Sequence, residues 1–152
     1  MRSSRIDDRT EILNLLYRYA ELIDDGDFVG IGELLADCEM SGVGMPPVRG
    51  ARAIAGLYKM TTRRFDNGTP NTAHIITNPI VEVGPDSLTA TVRSRFTVFQ
   101  SAGGVPLQPI ITGRYRDSFV RDDSEHWRFS QRMFYVDQIG DLSQHLTYHV
   151  TE

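Results

Sequence analysis

A single cysteine, Cys38, stands in a chain of 152 residues. No intramolecular disulfide can form, and a lone cysteine without a partner motif reads as a small buried hydrophobe rather than a nucleophile. No window approaches the roughly 18 consecutive apolar residues of a membrane-spanning helix. The opening stretch MRSSRIDDRTEI has no apolar core, so no secretory signal is expected and the cytoplasm is the expected location. Basic residues are scattered; Arg63-Arg64 is the densest pair, and the net charge is −4. Without a basic stripe interleaved with aromatics, no nucleic-acid partner is expected. The chain also lacks GxSxG, GxGxxG, a phosphate loop and CxxC, which removes α/β-hydrolases, dinucleotide enzymes and P-loop NTPases from contention. What remains is chemistry that side chains do alone, above all proton transfer, with no cofactor and no metal expected.

What is present is ordinary for a globular protein: 40% hydrophobic and 24% charged residues, enough for a core in one domain spanning residues 1–152. The hydrophobic pattern changes once along the chain. Helical periodicity holds to about Phe65, and strand-like alternation follows from Thr72 to Asp137, an order that predicts α+β with an antiparallel sheet. A first helix is expected from Asp7 or Asp8 to Asp24, with Ile12, Leu16, Tyr19 and Ile23 as its buried stripe. Asp25-Gly26 should end it. A short helix over residues 28–36, a short strand over residues 38–43, a loop marked by Gly42, Gly44, Pro46 and Pro47, and a third helix over residues 51–64 should follow.

Four long strands are expected at residues 72–83, 87–100, 109–121 and 126–137, forming a twisted antiparallel meander. In the second, Leu88, Ala90, Val92, Phe96 and Val98 share one face, while Thr89, Thr91, Arg93, Arg95 and Thr97 share the other. In the first, His74, Ile76, Asn78 and Ile80 are expected on one face. Helices on the concave side would close a core and leave a pocket. The convex side would leave Thr89, Thr91 and Thr97 uncovered together with Ile111, Phe119 or Phe134, which favours association.

Two ionisable residues sit off-pattern. Asp24 lies at the edge of the apolar arc of the first helix, beside Tyr17 and Ala20 on the wheel, and His74 lies on a strand face with isoleucines. An Asp beside a His is the minimal unit of a general base, because the carboxylate fixes the tautomer and balances the imidazolium that forms. Ordinary readings stand beside this one. Asp24 also reads as a helix-end turn residue, His74 as a satisfied core histidine, Tyr19 as core, and Asn78 as a sheet-edge residue before Pro79. His145 and His149 have the spacing of a metal pair on a helix, but no third ligand accompanies them.

The stretch Leu16-Tyr17-Arg18-Tyr19-Ala20-Glu21-Leu22-Ile23-Asp24-Asp25-Gly26-Asp27 resembles the first helix of SnoaL-like proteins of the nuclear-transport-factor-2 superfamily. Thr72-Ala73-His74-Ile75-Ile76-Thr77-Asn78 resembles their first long strand, and Gly113–Asp117 and Trp127–Arg132 their last two. The resemblance implies a cone of curved antiparallel sheet with three N-terminal helices and a deep apolar pocket. In the branch of scytalone dehydratase and bile-acid 7α-dehydratase it implies a cofactor-free lyase with an Asp–His pair, matched by Asp24 and His74. The bile-acid enzymes add a tyrosine five residues before the Asp, matched by Tyr19. Scytalone dehydratase carries a second pocket histidine on the following strand; Phe96-Thr97-Val98-Phe99 has none. Ketosteroid isomerase shares the fold, but Met40-Ser41-Gly42-Val43 lacks its carboxylate base, so an isomerase ranks below a lyase. The expected function is thus a dehydratase-like lyase or isomerase acting on a small hydrophobic, polycyclic molecule. Asp24, His74 and Tyr19 are its expected catalytic residues, and Tyr17, Asn78, Arg114 and Arg132 its substrate contacts. The fold also hosts non-catalytic ligand-binding proteins and the small subunits of ring-hydroxylating dioxygenases, which stay open as alternatives. Relatives imply a homo-oligomer, a trimer ahead of a dimer.

Overall fold

The computed structural model describes residues 7–122 and 125–149. Helix α1 spans Asp8–Asp24. The Asp7 side chain caps it, accepting the Thr10 N–H at 3.0 Å. Its stripe of Ile12, Leu16, Tyr19, Leu22 and Ile23 is buried. Gly26 turns the chain out of the helix at φ +72°, where an added Cβ would stand 2.2 Å from the carbonyl oxygen of Gly68, so only glycine fits. Helix α2, Phe28–Leu34, is capped by Asp27 and stops two residues before the expected end. Helix α3 spans Ala51–Thr61. It was expected to continue to Arg64; instead Thr62 bridges Leu146 and the Arg63 N–H bonds the His145 carbonyl at 2.8 Å. Pairing with the C-terminal segment replaces the last helical turn.

The sheet has six strands in the order β2-β1-β6-β5-β4-β3. The four long strands are β3 Thr72–Val83, β4 Thr89–Gln100, β5 Gln108–Arg121 and β6 Trp127–Ile139, and they form the expected antiparallel meander. Of the remaining two, one corrects the sequence reading. β1 is Glu39–Gly42, as expected, but Met45–Arg49, expected as loop, forms β2 in a hairpin with it. β2 is an edge strand, where a sheet tolerates proline, and Pro46 and Pro47 fall opposite the irregularity between Met40 and Gly42. β1 then joins the meander in parallel with β6. The connection between the strands expected at residues 109–121 and 126–137, read from Asp122-Asp123-Ser124 as a turn, falls partly outside the described residues.

Ala90, Val92, Ser94, Phe96, Val98 and Gln100 of β4 face inward, against the helices. Phe119, expected on the open face, is 1% exposed in the core beside Phe129, and Phe134 packs against the core. Leu88 precedes β4 and is exposed. On β4 and β5 the outer face is built of threonines and arginines, with Arg93 across from Arg116 and Arg95 from Arg114, while β3 adds the exposed Ile75 and Ile80. Among the described residues no helix is long and apolar enough to cross a membrane.

Candidate active site

The last residue of α1 meets the third residue of β3. The Asp24 Oδ1 lies 2.6 Å from His74 Nδ1, and its Oδ2 accepts the His74 backbone N–H at 2.8 Å. The Thr72 hydroxyl donates to Oδ1 at 2.8 Å. Burial alone would push the Asp24 carboxyl up; the hydrogen bond and charge of His74, its backbone N–H and Thr72 outweigh this and hold it below the usual carboxylate value. The pairing has a defined consequence. An ionised Asp24 accepts only, so Nδ1 carries the proton and Nε2 is the basic nitrogen. Nε2 has no hydrogen-bond partner among the described residues. The His74 side chain is 6% exposed and that of Asp24 24%.

The ring of Tyr19, five residues before Asp24, stands nearly perpendicular to that of His74 with centroids 6.4 Å apart. Its hydroxyl shares a 2.7 Å hydrogen bond with that of Tyr58, which also reaches Met40 Sδ. Burial raises the Tyr19 pKa, with Arg132 opposing, so the phenol is a hydrogen-bonding group and not a base. Arg132 points into the protein and is 1% exposed. Asp117 holds it in two parallel bonds of 2.8 and 3.0 Å, and its guanidinium lies over the rings of Tyr115 and Tyr19 at 3.9 and 4.4 Å. Burial disfavours the guanidinium charge, but the Asp117 carboxylate more than offsets it and the pKa is raised. Nη1 is buried with no hydrogen-bond partner among the described residues. Tyr115 stacks on Phe96 at 4.5 Å and completes the wall.

Four of the seven expected residues therefore converge: Asp24, His74, Tyr19 and Arg132. Three do not. Arg114 faces outward, bonded to Asp137 at 3.0 Å and stacked over Tyr135. Asn78 sits at a bulge between Thr77 and Ile80, with φ +53°. The bulge reverses the alternation of β3, so Asn78 and Ile80 leave the His74 face and line a depression of about 210 Å³ with Arg93, Arg95, Arg114 and Arg116. A larger one of about 620 Å³ adjoins it around Arg95, Arg114 and Asp137. Neither includes Asp24 or His74. Tyr17 is 40% exposed and makes no hydrogen bond with the cluster.

The sequence reading missed Tyr58, Tyr115 and Asp117, which look like ordinary core or strand residues by periodicity. It also missed His145. Its ring centroid lies 6.2 Å from that of His74, whereas His149 is exposed. Cys38 is buried, and burial pushes its thiol up to about 12, far from nucleophile range.

A family model for the SnoaL-like domain matches residues 4–133. The comparison with curated proteins gave no match. Among solved structures, an NTF2-like protein with a cystatin-like fold from Novosphingobium aromaticivorans is 29% identical, with a TM-score of 0.70 over 85% of this chain and 81% of that one. A scytalone dehydratase-like protein from the same species is 21% identical, with a TM-score of 0.70 over 95% and 89%. LinA is 18% identical, with a TM-score of 0.69 over 95% and 93%. The last two show a shared fold. With a family model spanning most of its length and an α+β architecture of three helices on a curved, unclosed six-stranded sheet, the chain belongs to the SnoaL-like domain family.

Proposed function

We propose that the protein is a lyase of the dehydratase type, or an isomerase, that abstracts a proton from a small hydrophobic, polycyclic substrate without a cofactor. The observation that carries this reading is the 2.6 Å contact between Asp24 and His74 Nδ1, which leaves Nε2 as a base of fixed orientation. Nε2 takes the proton as a substrate C–H bond breaks, and the electron pair moves toward an adjacent carbonyl oxygen. Arg132, whose Nη1 has no hydrogen-bond partner among the described residues, and the Tyr19–Tyr58 hydroxyls answer the charge that collects there. Return of the proton to another carbon completes an isomerisation. Loss of a β-hydroxyl, protonated by the His74 imidazolium, completes a dehydration. Relatives support this class: neighbours in fold include a scytalone dehydratase-like protein.

A second reading, a non-catalytic ligand-binding protein or an oxygenase small subunit, draws on the close packing around His74, whose side chain is 6% exposed. A thermal-shift screen of bicyclic and tricyclic ketones and alcohols, followed by turnover of the hits, separates the two. The proposed enzyme converts a hit, and His74→Ala abolishes conversion while retaining the fold; a binding protein retains hits that neither form converts. We place the protein in the cytoplasm as a homo-oligomer, a trimer ahead of a dimer. Its outer sheet face is arginine-rich on β4 and β5, with Ile75 and Ile80 exposed on β3, so this assembly rests chiefly on the relatives. A light-scattering mass near that of the 17.1 kDa monomer contradicts it.

A further inference from the structure

His145 comes from the C-terminal segment, residues 141–149, far in sequence from both members of the dyad. Its backbone is fixed on two sides, by the His145 N–H to the Leu142 carbonyl at 3.0 Å and by Arg63. The same segment is tied down by Gln100, which bonds the Gln144 carbonyl at 3.0 Å, and by Thr147, which bonds the carbonyls of Thr61 and Met60. These bonds press the imidazole into the protein, 8% exposed, with its ring against that of His74. Its Nδ1 is buried without a hydrogen-bond partner among the described residues. Such a group carries a standing cost that a phenylalanine of similar size would avoid, and it calls for a partner that the described residues do not supply.

Resting on the reading of His74 as base, we propose that His145 is a second substrate-contacting imidazole, donating an N–H hydrogen bond to the ligand oxygen on which negative charge collects. Its surroundings suit a donor better than a base. Burial, with the His74 ring beside it and Asp24 only partly opposing, lowers the His145 pKa to about 4, so the ring is neutral at ordinary pH. A neutral imidazole keeps one N–H to donate. The two histidines then divide the work: His74, paired with a carboxylate, accepts the proton, and His145, without one, binds the oxygen. The class of ligand follows: a ring system that carries a carbonyl or enolic oxygen close to an acidic C–H.

The test compares 2-naphthol, which mimics the enol of a bicyclic ketone, with naphthalene, which has no oxygen. The wild type is expected to bind 2-naphthol more tightly, and its His145 ring ¹⁵N signals should move with 2-naphthol and stay with naphthalene. His145→Phe should weaken 2-naphthol binding by about tenfold, as loss of one hydrogen bond to a partly charged oxygen implies, and leave naphthalene unchanged. His145→Gln, which keeps an N–H, should retain most of the affinity. Equal loss for both ligands, no preference of the wild type for 2-naphthol, or unmoved His145 signals each overturn the proposal, and the ring signals need no variant. Binding is read without turnover, so a negative result here leaves His74 as the base, and a failure of proton transfer leaves the His145 result intact.

Discussion

Asp24 grips His74 twice, at the ring through Oδ1 and at the backbone through Oδ2. One contact sets the tautomer, and the other fixes the strand that carries the ring. For the proposed base this predicts an order of loss. His74→Ala should abolish turnover. Asp24→Asn, which cannot balance the imidazolium and favours the wrong tautomer, should cost on the order of 10³–10⁴ in kcat. Tyr19→Phe removes one hydrogen bond, of about 1 kcal/mol, and should cost about fivefold to tenfold. Steady-state kinetics on a substrate from the ketone screen checks the order.

Stability should depend on pH through His145. Its folded pKa is depressed from 6.5 to about 4, so between those values the unfolded chain takes up a proton that the folded chain refuses. Stability is therefore lost as pH falls through that window, by up to about 3 kcal/mol. Asp24 acts in a different window. Its folded pKa is lowered, so its contribution is complete above the ordinary carboxylate value of 3.8 and is lost only as pH falls below it. Urea unfolding between about pH 4.5 and about pH 7 should show a slope that His145→Phe removes and Asp24→Asn retains.

The Asp117–Arg132 pair makes a third test. Asp117→Ala strands a buried guanidinium and should cost roughly 3–5 kcal/mol, whereas replacing both partners, as Asp117→Leu with Arg132→Met, should recover most of that loss. The double variant should still lose activity, because the buried positive charge is gone. Denaturant melts of the three proteins decide the first point, and turnover the second.

Gly113 should not tolerate a side chain. A Cβ there would meet the Tyr135 carbonyl at 2.1 Å and the Phe96 ring at 2.4 Å. Gly113→Ala should therefore destabilise by about 1–3 kcal/mol or more, and it should disturb the Phe96–Tyr115 stack below Arg132, visible in the near-ultraviolet circular dichroism.

Periodicity and turn chemistry carried much of the fold. The stripe Ile12, Leu16, Tyr19, Ile23 places α1 to within a residue, and alternation in β4 sorts inner from outer side chains. Two kinds of feature escaped it. Backbone pairing that depends on distant segments is one: β2 forms because β1 offers an edge, and α3 ends early because residues 145 and 146 dock on its last turn. Local irregularity is the other. The bulge at Asn78 inverts β3 and sends Asn78 and Ile80 outward, which strict alternation cannot anticipate. The Asp24–His74 meeting was legible from their off-pattern placement and the family resemblance. His145 was not, because nothing in SQHLTYH reports that the tail folds back onto β3 and α3.

The central claim is that the Asp24-paired imidazole of His74 removes a proton from carbon. Deuterium wash-in at C1 of 2-tetralone in D₂O, followed by proton NMR, reads that step alone and requires no knowledge of the natural product. Wild-type protein is expected to speed exchange well above the buffer rate, with Asp24→Asn far slower and His74→Ala at the buffer rate. Exchange by His74→Ala at the wild-type rate, or none above buffer by the wild type, contradicts the account.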